Sequence, residues 1–377
     1  MILFLSQALA GPLDNWTTNQ VSTNSFGLDC AVYGNGRYVA YGEYSDYGVI
    51  MSSEDGINWS LRLDGKTNAT FSFSLALVYT GNRFFALGGF GGSAVSTNGV
   101  DWTVFSHYAN GLIGGLFTSV AYGAARYVMV GGGAYTSTDA ITWTAHNPPG
   151  GVVDVAYGAS KFVAIGDNSG HAYTSSAGTT WTDRSILGGN KISFCNGIFI
   201  VPYGLGTNLI SSDGISWTTA NTGITGLLGK VTFANGLFIA RAGVYLATST
   251  DGTNWVQYPQ ILPGTALRGY QIATDGSRLV TVGGTYASGG PNYYNGYTYY
   301  SDALVTVGIT NTSPAQIVLS GLVGRSYRIE YVDALLSADS NNWQTLTALQ
   351  LPITPYLFTD TAATNSSHRF YRGVLLP

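Results

Sequence analysis

Tryptophan recurs along this chain at a nearly fixed interval, and that interval constrains the fold more than any other feature. Seven of its eight tryptophans, Trp16, Trp59, Trp102, Trp143, Trp181, Trp217 and Trp255, are separated by 43, 43, 41, 38, 36 and 38 residues. Each interval holds the same succession of short apolar runs. Between Val120 and Trp143 it reads Val120-Ala121-Tyr122, a turn, Arg126-Tyr127-Val128-Met129-Val130, a Gly turn, Tyr135-Thr136-Ser137-Thr138-Asp139, and then Ile141-Thr142-Trp143. Runs of four to six β-branched and aromatic residues, closed by Gly, Asn, Asp and Ser, read as strands.

Four strands per unit at a period near 40 predict the blades of a β-propeller. The first unit lacks the strands that should precede Trp16. The last, from Gln271 to about Leu304, lacks a Trp after Ser301-Asp302. If the strand around Trp16 completes the last blade, both defects disappear and the ring has no open edge. The expected fold is therefore all-β, a seven-bladed propeller over residues 11–304 closed by the N-terminal strand. The tail breaks the period. Its runs Gln316–Leu319, Ser326–Tyr331, Trp343–Leu346 and Arg369–Arg372 predict a small β-sandwich over residues 305–377.

Six units carry one phrase ahead of the Trp: Ser53-Glu54-Asp55-Gly56, Ser96-Thr97-Asn98-Gly99, Ser137-Thr138-Asp139-Ala140, Ser175-Ser176-Ala177-Gly178, Ser211-Ser212-Asp213-Gly214 and Ser249-Thr250-Asp251-Gly252. Ser and Asp side chains bond turn backbone, and Gly accepts a positive φ. The phrase resembles the Asp-box, the bacterial neuraminidase repeat, in a form one residue shorter. The resemblance implies a sialidase-like propeller whose Asp-box turn joins the third and fourth strands, away from the ligand face. The tail's Gly-x-x-Tyr-x-Ile-Glu-Tyr, Asn-Trp and Arg-Phe-Tyr-Arg phrases resemble a C-terminal module of secreted planctomycete and verrucomicrobial proteins.

Residues 1–10 end in Ala8-Leu9-Ala10 after an apolar start and read as the remainder of a secretion signal. A secreted or cell-surface bacterial protein, monomeric, is the expectation. The net charge of −4 excludes phosphate-backbone recognition, so no nucleic-acid partner is expected. No apolar run is long enough for a transmembrane helix. Cys30 and Cys195 fall in blades too far apart to bridge.

Blade interiors repeat, whereas the loops between second and third strands diverge, and divergent loops on a regular scaffold are where sites are carried. A sialidase needs three arginines around a carboxylate. Arg37, Arg83, Arg126 and Arg278, with Lys161, recur at one hairpin position on the opposite end of the blades and read as solvated turn residues. Arg241 alone is assigned to a loop of the ligand face, and one arginine makes no clamp. The predicted binding set is Tyr44, Tyr47, Phe90, His107, Tyr108, His171, Tyr203, Arg241 and Tyr286, aromatic and polar groups suited to a glycan or an extracellular protein. The leading expectation is thus a binding protein without an enzymatic role. The alternative is a glycoside hydrolase or polysaccharide lyase using Glu43, Asp46 or Asp167 as its carboxylates, with Arg241 and His171. A structural module of a surface assembly is a third reading. The four histidines show no metal-ligand spacing, so no metal site or cofactor is expected; Glu43 and Asp46 leave Ca²⁺ as a chemical option only.

Overall fold

The computed structural model describes residues 13, 16–22, 25–44, 47–67, 71, 74–88, 92–107, 116–146, 151–166, 171–184, 189–261, 271–286, 294–301, 305–312, 314–321, 325–333, 343–352, 356–365 and 369–376. They form β-strands and turns with one short 3₁₀ turn at Thr361–Asn365. No helix among them is long and apolar enough to cross a membrane.

The chain divides into two compact units. One comprises 18–275 with 280–300; the other comprises 1–17, 276–279 and 301–377. The first unit is built on four-stranded antiparallel sheets, of which seven are described. Six are meanders in chain order. The first runs Gly27–Gly34, Arg37–Tyr44, Tyr47–Ser53 and Ser60–Asp64. The seventh places Ala273–Thr274, Leu279–Tyr286 and Tyr294–Ser301 in order and takes Trp16–Ser22 from the other end of the chain as its outer strand.

The hairpins between first and second strands follow from local chemistry. Asn35-Gly36, Asn196-Gly197 and Asn235-Gly236 hold positive φ at both central residues, as a type I′ turn requires. Ala124-Ala125 and Ala159-Ser160 adopt the same geometry without glycine, so the sheets on either side impose it.

The Ser-x-Asp turns link third strands to fourth strands, where the sequence places them. Ser53 Oγ donates to Asp55 Oδ1 at 2.8 Å and accepts the Gly56 N–H at 2.9 Å. Asp55 Oδ1 accepts the N–H groups of Ile57 and Asn58, both at 2.8 Å. Asn98 does the same work for Val100 and Asp101 in the second sheet. The third unit has Ala140 at the glycine position with φ +70°. Its methyl is accommodated in a buried cluster that includes Phe85. The corresponding position on the other preceding strands carries a β-branched residue, such as Val39 or Val128, close against the motif glycine.

These turns make a pH prediction. Burial alone would raise the Asp139 carboxyl, but the Ile141 and Thr142 N–H groups outweigh it and hold it at about 2. Backbone N–H groups of Ile215 and Ser216 hold Asp213 at about 2. Asp55 and Asp251 are lowered too, partial burial being overcome by their hydrogen bonds. A depressed folded-state pKa contributes stability above the unfolded value near 4 and loses it as pH falls through the folded value. Urea midpoints are therefore expected to drop between pH 4 and pH 2. A quadruple Asp→Asn variant at residues 55, 139, 213 and 251 should flatten that drop while keeping the turns, as Asn98 does; an unchanged slope would remove these aspartates as the cause.

Apolar residues of consecutive sheets share buried clusters. Val39, Tyr41 and Ile50 pack with Leu77, Phe84 and Ala86, and Val280 and Val282 of the seventh sheet pack with Tyr38, Ala40 and Met51 of the first. The first strands, Gly27–Gly34, Ser74–Tyr79, Ser119–Gly123, Val152–Gly158, Ser193–Cys195, Thr232–Ala234 and Ala273–Thr274, contact one another in succession, and the last contacts the first again. Side chains tie these strands to their neighbours: Thr118 Oγ1 donates to Val153 O at 2.6 Å and Thr232 Oγ1 to Ile272 O at 3.0 Å. Cys30 and Cys195 are both free thiols.

The recurring basic residues are not the solvated turn residues that their hairpin position suggests. Arg37, Arg83, Arg126, Lys161 and Arg278 are half-buried at the start of, or just before, second strands. Two of these stems have the next sheet's turn beside them: Lys161 Nζ donates to Asp213 O at 2.9 Å, and Arg37 lies against Gly99.

The second unit holds two three-stranded sheets. One orders Val305–Thr312, Ala315–Gly321 and Tyr356–Asp360; the other orders Gln344–Gln350, Ser326–Val332 and Phe370–Leu375. They share a buried cluster of Ile317, Leu319, Tyr327, Ile329 and Leu351. Both arginines of the Arg-Phe-Tyr-Arg phrase are engaged within this unit. Arg369 pairs with Asp333 at 2.7 Å and Asp360 at 3.0 Å, and Arg372 pairs with Glu330 at 2.6 Å.

Candidate functional site

Antiparallel meanders whose first strands pack side by side must present their connections on two faces. The turns between first and second strands and the Ser-x-Asp turns share one, the turn face. The loops between second and third strands share the other with the connections from sheet to sheet, the loop face.

The predicted site residues belong to the loop face, and the structure distributes them unevenly. Asp46, Phe90, Tyr108 and Asp167 lie outside the described residues, as do the side chains of Tyr44 and Tyr286 and the whole of residues 1–10. Glu43 is half-buried at the end of Arg37–Tyr44, opposite Gly48. Tyr47 follows the loop and is 39% exposed. Tyr203 is half-buried against the core of the fourth and fifth sheets.

Three predicted residues have roles set by packing. His107 is buried, its Nε2 2.8 Å from Ser93 Oγ and its ring edge-on to Phe117 at 4.8 Å. Burial lowers its pKa to about 4, so it is neutral near pH 7. It is a core histidine and not a surface ligand. Arg241 is not in a loop. The strand Leu237–Ala242 continues through it, pairing it with Leu246, and it is 4% exposed with Nη2 donating to Gly243 O at 3.2 Å. His171 does reach the surface. It stacks on Tyr173 at 5.8 Å, and its Nδ1 lies 2.9 Å from an Asp183 carboxylate oxygen.

Large apolar side chains also stand exposed on this face. Leu205, between the second and third strands of the fifth sheet, is 78% exposed; Leu227 and Leu116, in connections between sheets, are 44% and 43% exposed. Sequence reasoning favoured tyrosines and passed over these leucines, because an exposed leucine is invisible until burial is known.

The second candidate region is the space enclosed by the first strands. Two cavities of about 280 and 200 Å³ lie there, both lined by Val78, Tyr79, Lys230 and Gln271. Together all seven first strands or the residues just before them contribute to their walls. Toward the turn face the walls are aromatic. Tyr33, Tyr79, Tyr122, Tyr157, Phe194 and Phe233 occupy one repeat position, and each leans on the first aromatic of its own second strand at 4.6–4.8 Å. Glycines seat three of them: a Cβ on Gly34, Gly123 or Gly158 would fall 2.4, 2.2 or 2.3 Å from the ring of Tyr79, Tyr157 or Phe194 on the next sheet.

Deeper in, Asp154 ties three sheets together. Its carboxylate accepts the Val155 N–H at 2.9 Å, the Ile192 N–H at 2.9 Å and the Lys230 ammonium at 3.1 Å. Its side chain is 4% exposed, against 26% for that of Lys230. No group of three or more metal-ligating side chains occurs among the described residues.

No protein-family model matches the sequence, and no curated protein matches it. Solved structures do. A structure described as YCF48 bound to D1 peptide is 15% identical with a TM-score of 0.55, over 76% of this chain and 96% of its own. The Neurospora crassa Pan2 WD40 domain is 9% identical with a TM-score of 0.54, over 77% and 96%. A chain of a mitotic checkpoint complex is 10% identical with a TM-score of 0.54, over 79% and 98%. At these identities the likeness is one of fold, and with the four-stranded sheets it makes this chain a β-propeller protein.

Proposed function

We propose that this protein is a non-enzymatic binding module whose loop face takes a polypeptide segment of a partner protein. In this reading the seven four-stranded sheets are the blades of one closed ring, sealed by Trp16–Ser22, and the second unit is a small β-sandwich. The observation that carries the function is the exposure of Leu205, Leu227, Leu116 and Tyr47 on one face. Exposed aliphatic side chains, which lack the aromatic faces that sugar rings stack on, suit the apolar groups of a polypeptide better than a hydroxyl-rich glycan. The peptide held by the YCF48 structure is in keeping with this use of the fold. Secretion and an Asp-box ancestry remain part of the proposal, resting on Ala8-Leu9-Ala10 and on the Ser-x-Asp turns.

The test selects displayed peptides on the intact chain and measures their affinity for a variant carrying Leu116→Glu, Leu205→Glu and Leu227→Glu. Losses of about tenfold or more are expected, each exposed anchor contributing on the order of 1 kcal/mol. Ile215→Glu, on the turn face, should leave affinity unchanged. A panel of polysaccharides is run in parallel. Pelleting with a polysaccharide and no peptide selection would replace the partner by a glycan. Release of reducing ends would overturn the reading in favour of a hydrolase and direct substitutions to Glu43, Asp46 and Asp167.

A further inference from the structure

The bore carries its charges in one layer. Asp154, Lys191, Lys230 and Gln271 stand at the same repeat position on four consecutive sheets, three residues before Tyr157, Phe194, Phe233 and Thr274. The other three sheets place Cys30, Ala76 and Ser119 there. The carboxylate of Asp154 is turned into the wall and held by two backbone N–H groups as well as by Lys230. The groups left facing the cavity are cationic or neutral. Lys230 and Gln271 line both cavities, and Lys191 is exposed just ahead of the first strand of the fifth sheet. Burial pushes the Cys30 thiol of the first sheet up to about 12, and the Lys191 charge is among the smaller influences on it.

We infer that the bore is a second binding site, entered from the turn face between the tyrosines, for a ligand that ends in a carboxylate. The ammonium groups of Lys191 and Lys230, each just ahead of its sheet's first strand, and the Gln271 amide are donors suited to a carboxylate, and charge-assisted hydrogen bonds in a narrow, partly desolvated bore are stronger than those at an open surface. The aromatic edges of four tyrosines and two phenylalanines around the opening suit the uncharged remainder of such a ligand. The ligand differs from that of the loop-face reading, and the donors stand where the connections from that face enter the first strands.

The chemistry is shared by a peptide C-terminus and by a small carboxylic acid, and titration calorimetry on the intact protein separates them. The probes are acetyl-trialanine with a free carboxylate, the same peptide as its C-terminal amide, and succinate. The free acid is expected to bind at least about tenfold more tightly than the amide, the loss of a charge-assisted contact. Lys191→Gln, at an exposed position outside the Asp154 tie, should weaken the acid at least about fivefold with unchanged thermal stability. Added salt should weaken it further. Binding of the peptide acid alone assigns the site to chain ends; binding of succinate as well assigns it to small acids. Equal binding of acid and amide, no binding of any probe, or an undiminished affinity in Lys191→Gln would each overturn the inference. Leu205→Glu alone, in a loop away from the connection that carries Lys230, should bind the acid like the parent, which keeps this result separate from the fate of the loop-face reading.

Discussion

Asp154→Ala is expected to lower the unfolding free energy by about 3–5 kcal/mol, the loss typical when one partner of a buried ion pair is deleted. The size follows from what remains. The Ile192 N–H and the Val155 N–H lose their acceptor inside the wall, and Lys230 keeps a half-buried charge with nothing opposite it. Asp154→Asn should cost less, because one acceptor oxygen survives. Lys230→Gln should cost about 1–2 kcal/mol, since Lys230 is the more exposed partner and Asp154 retains both backbone donors. Equilibrium denaturation of the three variants orders them. A loss below about 0.5 kcal/mol for Asp154→Ala, within the range of an ordinary surface change, would mean that the three-sheet tie carries no stability.

Gly123→Ala should be nearly as harmful, by about 2–3 kcal/mol, through overpacking and not through backbone strain. The new Cβ would stand 2.2 Å from Tyr157 Cγ, at the root of the ring, where a rotamer change gives little relief. The ring cannot retreat, because Phe162 leans on it at 4.7 Å. Tyr157→Ala removes the clash at its source. The double variant should therefore be more stable than the sum of the two single losses implies, with a coupling of about 1 kcal/mol or more. Strict additivity would show that glycine and ring do not meet.

The architecture was legible because it is written as repetition. The Trp interval, the Asn-Gly hairpins and the Ser-x-Asp phrase are local signals whose hydrogen bonds close within a few residues, and the two ends of the array announced their own mismatch. The site was less legible because its determinants are differences in side-chain direction. Arg241 follows a strand that runs two residues further than expected, to Ala242, so a side chain assigned to a loop is in fact buried. His107 follows a fourth strand, where only the packing of Phe117 and Ser93 reveals that it turns inward. Asp154 and Lys230 were visible as letters at equal repeat positions, yet nothing in their neighbours says that one turns into the wall while the other reaches the cavity. The Tyr-Gly pairs at Tyr33-Gly34, Tyr122-Gly123 and Tyr157-Gly158 were the available signal for the aromatic ring, since each glycine is the seat of the next sheet's aromatic or lies beside it.

The seventh sheet has a consequence for how the molecule comes to exist. Trp16–Ser22 leaves the ribosome well before its partner Tyr294–Ser301, with six sheets made in between. Until that partner is made the early strand has no mate and the growing array has an open flank. Chains made at high local concentration thus meet a choice between sealing on themselves and lending the strand to a neighbour. Swapped dimers in overexpressed material, dissolving on refolding from dilute solution, are the expected signature of that delay.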